Sequence, residues 1–246
     1  MNAYTLYYSP DSANLIVRMA LEEMNLPYTD HLIDRAKKEH LAPEFLKLNP
    51  QGLLPILISP YQAEPLFETG AILWSLATQH NALKPQQENN SASCLKYLFY
   101  ISNTLHADLR ALFYTERYFD SPTGELIQSL RQGLSQRVRQ HFALLNQEIA
   151  NRGGPWLLGK ELTVCDLYVA ACARWAMLYP VPHLLEWNAI TKADFLAWPH
   201  LLWVLQSLEQ RPRIREAILK EDIAQSNQNE FSDPSMPQPK TGSVLG

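Results

Sequence analysis

The sequence predicts an α/β domain followed by an all-helical one, and two observations carry that reading. Residues 4–80 alternate short runs of strand formers with helical periodicity, whereas residues 91–221 read almost entirely as helix. Between them Asn81–Asn90 (NALKPQQENN) is polar with one Pro, the composition of a linker. The expected bounds are 1–80 for the first domain, 81–90 for the linker, 91–221 for the helical domain and 222–246 for a disordered tail of Pro, Ser, Asn and Gln with little that is large and apolar.

Tyr4–Tyr8 (YTLYY) is rich in strand formers and stops before Pro10. From Ser12 onward Ala13, Ile16, Val17, Ala20, Leu21 and Met24 follow a helical stripe, which Ser12 is placed to cap. Pro27–Ile33 reads as a second strand and Pro43–Leu48 as a short helix ending near Asn49-Pro50. Pro55–Ser59 and Pro65–Phe67 read as strands about a turn at Pro60-Tyr61, and Thr69–Gln79 returns to helix. The order βαβ then αββα is thioredoxin-like.

In the second half Cys94–Phe119 and Gly124–Asn151 are long helical patterns separated by Asp120-Ser121-Pro122. Ile127, Leu130, Leu134, Val138, Phe142, Leu145 and Ile149 form one apolar stripe, which Gly153-Gly154-Pro155 ends. Thr163 followed by Asp166 is a capping box, with Leu162 and Leu167 as its hydrophobic staple, and it opens a central buried helix at Val164–Leu178. This signal reads as structural.

Composition narrows the function classes. The chain has 246 residues, 46% of them apolar, enough for a sizeable core. A net charge of −4 and a pI near 6.0 offer no footprint for a phosphate backbone, so no nucleic-acid partner is expected. The start MNAYTLYYSPDSANL lacks a secretory pattern, and the longest apolar candidate, LYVAACARWAML, carries Arg174; the expectation is a cytoplasmic chain with no membrane partner. Cys94, Cys165 and Cys172 show no metal spacing, so neither disulfides nor a metal site are expected, and the thiols read as inert core.

Three segments carry candidate chemistry. In a thioredoxin-like fold the reactive position lies between the first strand and the first helix, whose N-terminus favours an anion. Here it reads Ser9-Pro10-Asp11-Ser12, two hydroxyls at the spacing of a dithiol pair but no sulfur. Such a site cannot exchange disulfides by itself; it can bind an external thiol and hold it as thiolate, unless Ser12 only caps the helix. A thiol titrates near 8.5 when unperturbed, and one charge-assisted hydrogen bond of roughly 1.5–3 kcal/mol brings it near 7. Leu54-Pro55, a Pro opening a strand after a loop, is a candidate cis bond that leaves the Leu54 backbone free to pair with an extended peptide, or else a plain strand start. Glu68-Thr69 precedes an apolar helix, so that Thr69 as cap can cradle a carboxylate and Glu68 an ammonium group; the alternative is a simple cap.

These segments in this order, on this strand and helix pattern, resemble the glutathione S-transferase superfamily. The likeness is to bacterial members, with features similar to the beta and the delta/theta-like Ser-type classes. It runs from Tyr4 to about Glu221 and takes in Tyr7-Tyr8-Ser9-Pro10, Pro43-Glu44-Phe45-Leu46-Lys47-Leu48-Asn49-Pro50 leading into Leu54-Pro55, Glu68-Thr69 where the family usually has Glu-Ser, Trp156-Leu157-Leu158-Gly159, and Leu162-Thr163-Val164-Cys165-Asp166.

The resemblance implies glutathione as co-substrate, with no metal. Its γ-glutamyl carboxylate is expected at Thr69, its amino group at Glu68, its cysteinyl backbone at Leu54 beside Pro55, and its glycyl carboxylate at His40 or Lys38, with Gln51 a further contact. His40 as a mere surface residue stays open, because Gly52 stands where the delta-type pattern has a second His. Ser12 is the expected thiol activator, with Tyr8 and Ser9 behind it. Ala13 occupies the position of the beta-class cysteine, which excludes a mixed disulfide there. A small hydrophobic electrophile is expected between the domains at His106, Tyr114 and Trp175, although aromatic residues on such a face are also ordinary core. The resemblance further implies a homodimer and a transferase. A peroxidase or isomerase on the same site and a non-catalytic glutathione-binding protein are the alternatives.

Overall fold

The computed structural model describes residues 3–10, 12–87, 90–121, 123–178, 190–221 and 231. In chain order the elements are β1 (Tyr4–Tyr8), α1 (Asn14–Glu23), β2 (Tyr28–Leu32), α2 (Pro43–Leu48), β3 (Ile56–Ile58), β4 (Leu66–Phe67) and α3 (Thr69–Gln79). There follow α4 (Ser91–Tyr100), α5 (His106–Phe113), α6 (Gly124–Arg152), α7 (Val164–Leu178), α8 (Lys192–Leu196), α9 (Pro199–Glu209) and α10 (Pro212–Lys220). The described residues form two compact units, one of 3–86 with 209–221 and one of 87–208 with 231.

The first unit holds a four-stranded sheet in the order β2-β1-β3-β4. The β1–β2 pair is parallel, while β1–β3 and β3–β4 are antiparallel. This is the βαβ–ββα pattern expected from the sequence. Tyr4 and Leu6 of β1 are buried while Thr5 and Tyr7 are half-buried, the alternation that strand pleating imposes. A separate cluster joins Ile33, Phe45 and Ile56 to Tyr7, Leu48, Leu54, Ile58 and Phe67, so α2 is seated at the end of the sheet where β3 begins. Burying a side chain the size of Phe45 contributes roughly 1.5–3 kcal/mol.

Helix α1 is buried from Asn14 through Glu22, including Arg18. Its polar side chains Asn14, Arg18 and Glu22 follow i, i+4, i+8 spacing and share one stripe. That stripe is buried because α10 packs on it: Arg18 Nε donates to Glu221 Oε1 at 2.6 Å, Lys220 Nζ to Glu22 Oε1 at 2.6 Å, Arg211 Nε to Glu23 Oε1 at 3.0 Å and Arg213 Nη1 to Asn25 Oδ1 at 2.7 Å. Ile214, Ala217 and Ile218 supply the buried apolar face of α10. Position in the sequence places α10 in the helical half, but charge and apolar complementarity put it in the first unit.

In the second unit the run expected as one helix over Cys94–Phe119 is broken into α4, a π-helical turn at Ile101–Leu105, α5 and a 3-10 turn at Thr115–Tyr118. Helix α6 keeps its expected bounds within a residue. Thr123 Oγ1 accepts the Leu126 N–H at 3.3 Å, and Gly153 closes the helix at φ 61°. Leu134, Val138, Phe142, Leu145 and Ile149 of its stripe are buried. Cys94, Cys165 and Cys172 are all buried.

The Asp166 carboxylate accepts the Thr163 N–H at 2.8 Å, as a capping box requires, and the Leu157 N–H at 2.7 Å. The Thr163 hydroxyl differs from expectation: it donates to Asp166 Oδ2 at 2.9 Å, while the Asp166 amide goes to the Thr163 carbonyl at 3.0 Å. Burial pushes the Asp166 carboxyl up to about 6 against these bonds.

The tail expected at 222–246 lies outside the described residues except for Phe231. That ring is buried, edge-on to Phe195 with centroids 5.0 Å apart, and its carbonyl accepts from Gln206 Nε2 at 2.9 Å. No helix among the described residues is long and apolar enough to cross a membrane.

Candidate active site

The register of the sheet brings three of the sequence segments together. Ile56 pairs with Tyr7 on one side and with Phe67 on the other, both antiparallel. The chain after Tyr7, before Ile56 and after Phe67 therefore leaves the sheet at one end. One or two residues on, these strands lead to Ser9, Leu54 and Thr69.

In the first segment, Ser12 does not cap α1. The helix starts at Asn14, its N-cap position is Ala13, and no side chain caps it. Ser12 contributes its carbonyl to the Leu15 N–H at 2.9 Å, and its hydroxyl donates to Asn14 Oδ1. The same Oδ1 accepts the Ser9 N–H at 3.1 Å, while Asn14 Nδ2 donates to both carboxylate oxygens of Glu221 at 2.8 and 2.9 Å. Asn14, unassigned by sequence reasoning, is thus the hub of the turn. Tyr8 ends β1 with the Arg18 guanidinium 4.6 Å from its ring centroid. Burial weakens the charged form of Arg18, but Asp30 and Glu221 outweigh it and hold its pKa above the ordinary value.

In the second segment the Leu54–Pro55 bond is cis. Among the described residues nothing hydrogen-bonds the N–H or C=O of Leu54. Buried Asn49 shapes the loop before it: its Nδ2 donates to the Leu53 carbonyl at 2.9 Å and its Oδ1 accepts the Gln51 N–H at 3.1 Å. Gln51 Nε2 in turn donates to Glu68 Oε1 at 3.2 Å, joining this loop to the third segment.

There the expected cap is displaced by one residue. Glu68 is the N-cap of α3, at φ 69°, and buried Thr69 is its first helical residue. A left-handed non-glycine residue of this kind is strained, and such strain concentrates at functional sites. The first-turn amides of α3 are donors without helical partners.

His40 sits in a 3-10 turn, Glu39–Leu41, entered through Lys38 at φ 59°. Lys38 is exposed, whereas His40 Nδ1 is buried and has no hydrogen-bond partner.

His106, Trp175 and Tyr114 belong to the second unit. The His106 and Trp175 rings face each other with centroids 5.1 Å apart, and His106 Nδ1 lies 2.9 Å from the Tyr168 hydroxyl. Burial, reinforced by Arg110, pushes the His106 pKa down to about 4, so the ring is neutral near pH 7. Trp175 is core-like at 3% exposure, and its Nε1 is buried with no partner. Tyr114 does not join them through any hydrogen bond or ring contact; its ring lies 4.1 Å from the Arg117 guanidinium. Among the described residues no group of His, Cys, Asp or Glu is arranged to hold a metal ion.

A thioredoxin-like unit carrying paired serines and a cis-proline loop, with a bundle of helices beside it in the sequence, defines the class. Residues 15–79 match the family model "Glutathione S-transferase, N-terminal domain" and residues 107–221 match "Glutathione S-transferase, C-terminal domain". The chain belongs to the glutathione S-transferase family. It is similar to the disulfide-bond oxidoreductase YfcG of Escherichia coli K12, 25% identical over 225 residues that cover 89% of this chain and 95% of that protein. It is also similar to glutathione S-transferase GST-4.5 of Xanthomonas campestris pv. campestris, 25% identical over 70% of this chain and 81% of that one. Its fold matches a glutathione transferase of Burkholderia graminis, solved with two glutathione molecules per subunit, at a TM-score of 0.74, 23% identity and 88% coverage of each chain.

Proposed function

We propose that the protein binds glutathione along its first unit, holds the thiol as thiolate and transfers it to a small hydrophobic electrophile. The observation that carries this reading is the convergence of Ser9, Leu54 and Thr69 at one end of the sheet by strand register. The open N–H and C=O of Leu54 suit the cysteinyl backbone, and the first-turn amides of α3 with Thr69 suit the γ-glutamyl carboxylate. Glu68, with Gln51 bound to it, suits the amino group. His40, whose Nδ1 lacks a partner, suits the glycyl carboxylate, with Lys38 near it in sequence.

Ser12 remains the proposed activator, with Ser9 and Tyr8 behind it. Its one proton rests on Asn14 Oδ1, a neutral acceptor worth roughly 0.5–1.5 kcal/mol, and a thiolate offers roughly 1.5–3 kcal/mol for the same proton. The hydroxyl therefore turns to the sulfur, and Asn14 Oδ1 keeps the Ser9 N–H. The thiolate then attacks the electrophilic carbon, forms the C–S bond and expels the leaving group with its electron pair. His106 and Trp175 are proposed to receive the apolar part of that substrate. A cytoplasmic C2 homodimer completes the reading.

A second reading has the thiolate attack sulfur in a disulfide, and the similarity to the oxidoreductase YfcG favours it. Calorimetry with glutathione, followed by turnover of an aryl halide and of a small disulfide, separates the two. Conjugation of the halide supports transfer to carbon, and exclusive disulfide turnover supports the second reading. Binding with neither makes this a glutathione-binding protein, and absence of binding overturns the proposal.

A further inference from the structure

We infer that Glu221, at the end of α10, is a positioning residue for the thiol-activating turn, acting by fixing the side-chain amide of Asn14. The inference rests on the thiolate reading proposed above, and it adds to the site a residue from the far end of the folded chain.

An Asn side chain can be turned over, exchanging an acceptor for a donor. Glu221 removes that freedom. An ionised carboxylate only accepts, so it holds Asn14 Nδ2 at 2.8 and 2.9 Å and leaves Oδ1 as the atom presented to the turn. Oδ1 there accepts two donors, the Ser9 N–H at 3.1 Å and the Ser12 hydroxyl. The reversed amide would set NH2 against the Ser9 N–H, donor facing donor, and the turn would have to open. Asn14 and Glu221 both have 0% exposure, so water cannot substitute for a lost partner.

The anion is kept in place by its own neighbours. Arg18 of α1 donates Nε to Glu221 Oε1 at 2.6 Å, and it is shared with Asp30 at 2.8 Å and the Tyr28 hydroxyl at 3.1 Å, both of β2. Lys220, next to Glu221 in α10, is engaged by Glu22 and Glu216. The chain that holds the turn is therefore Arg18, Glu221, Asn14, which meets the Ser12 hydroxyl in the free protein and keeps the Ser9 N–H when that hydroxyl turns to the sulfur. Its middle member, Glu221, lies 203 residues from Arg18 and 207 from Asn14 in the sequence.

Glu221→Gln tests the inference. Glutamine brings one acceptor oxygen for two donors, Asn14 Nδ2 and Arg18 Nε, and adds an NH2 that invites Asn14 to reverse. The acid limb of the kcat–pH profile, which reports the bound thiol, should move up by about one pH unit. Turnover then falls about tenfold near pH 6.5 and recovers at alkaline pH, where the thiolate forms unaided, with KM for glutathione within about threefold. A merely structural loss would lower kcat equally at every pH. In an Asn14→Ala background, Glu221→Gln should add no further loss, since its effect runs through Asn14.

Where Glu221→Gln fails to fold because Arg18 loses part of its compensation, Glu221→Asp retains the charge, withdraws the carboxylate by one carbon, and should displace the limb in the same direction. An acid limb unmoved in the folded variants, or a full additional loss in the Asn14→Ala background, overturns the role of Glu221. A wild-type protein with no acid limb at all overturns the thiolate reading instead.

Discussion

A Cβ placed on Gly52 would stand 3.1 Å from the carbonyl oxygen of His40 and 3.2 Å from Cδ2 of Leu41, and Gly52 itself is held at φ +65°. Both facts favour glycine here: the left-handed backbone, and the approach of the His40 turn. The absence of a second His at this position, a departure from the delta-type pattern, follows from that packing. Gly52→Ala is expected to lose about 1–2 kcal/mol from the left-handed strain alone. It should also weaken glutathione binding by displacing His40. Urea unfolding and calorimetry check the two effects, and a variant with unchanged values would detach His40 from the site.

Removing the Asp166 carboxylate leaves the buried Leu157 and Thr163 N–H groups without their acceptor. Asp166→Ala is expected to destabilise the helical unit by about 3 kcal/mol or more, at roughly 1–3 kcal/mol per orphaned group. Thr163→Ala, which deletes the hydroxyl and a buried γ-methyl but leaves both N–H groups their acceptor, should cost about 1–2 kcal/mol. Denaturant midpoints measure both, and equal costs for the two would contradict the role given to the carboxylate.

Local signals made much of the architecture legible, because they act over a few residues. The strand residues of β1 alternate, Pro43 opens α2, the loop into Leu54–Pro55 ends in the cis bond its sequence suggested, and Thr163 with Asp166 opens α7. What escaped depends on partners distant in sequence. Nothing near Asn14 announces Glu221, and nothing within α1 announces that α10 covers its polar stripe. Ser12 and Thr69 have the residue types of caps, yet Asn14 draws the Ser12 hydroxyl away and Glu68, strained at φ 69°, takes the cap position of α3. The one signal that pointed to Asn14 is its place two residues after Ser12 at a helix start, where a side-chain amide can bond the preceding turn.

His106 gives a pH signature. Burial lowers its pKa from 6.5 to about 4, so the unfolded chain takes up the proton first. Its contribution is fully present above pH 6.5 and is lost as pH falls towards 4, by at most about 3 kcal/mol. Asp166, raised by burial, acts with the opposite sign and is common to both proteins when wild type is compared with His106→Asn. The stability gap between those two should change by up to that amount, moving against the wild type, between pH 6.5 and 4. A gap independent of pH would show that His106 takes up its proton as readily in the fold as in the unfolded chain.

Ser12→Ala is expected to reduce kcat by about 10- to 100-fold with glutathione affinity within about threefold, as for a donor whose bond strengthens when charge develops on sulfur. Tyr8→Phe should change little. Steady-state kinetics on both variants decide the assignment, and unchanged turnover in Ser12→Ala transfers the role to Tyr8.

The ultraviolet absorbance of thiolate, followed against pH for glutathione bound to the wild-type protein, reports the decisive quantity. A bound thiol that ionises near pH 7, below the roughly 8.5 of an unperturbed thiol, is the predicted result. A bound thiol that ionises at the same pH as in free solution, or a tripeptide that does not bind, would contradict it.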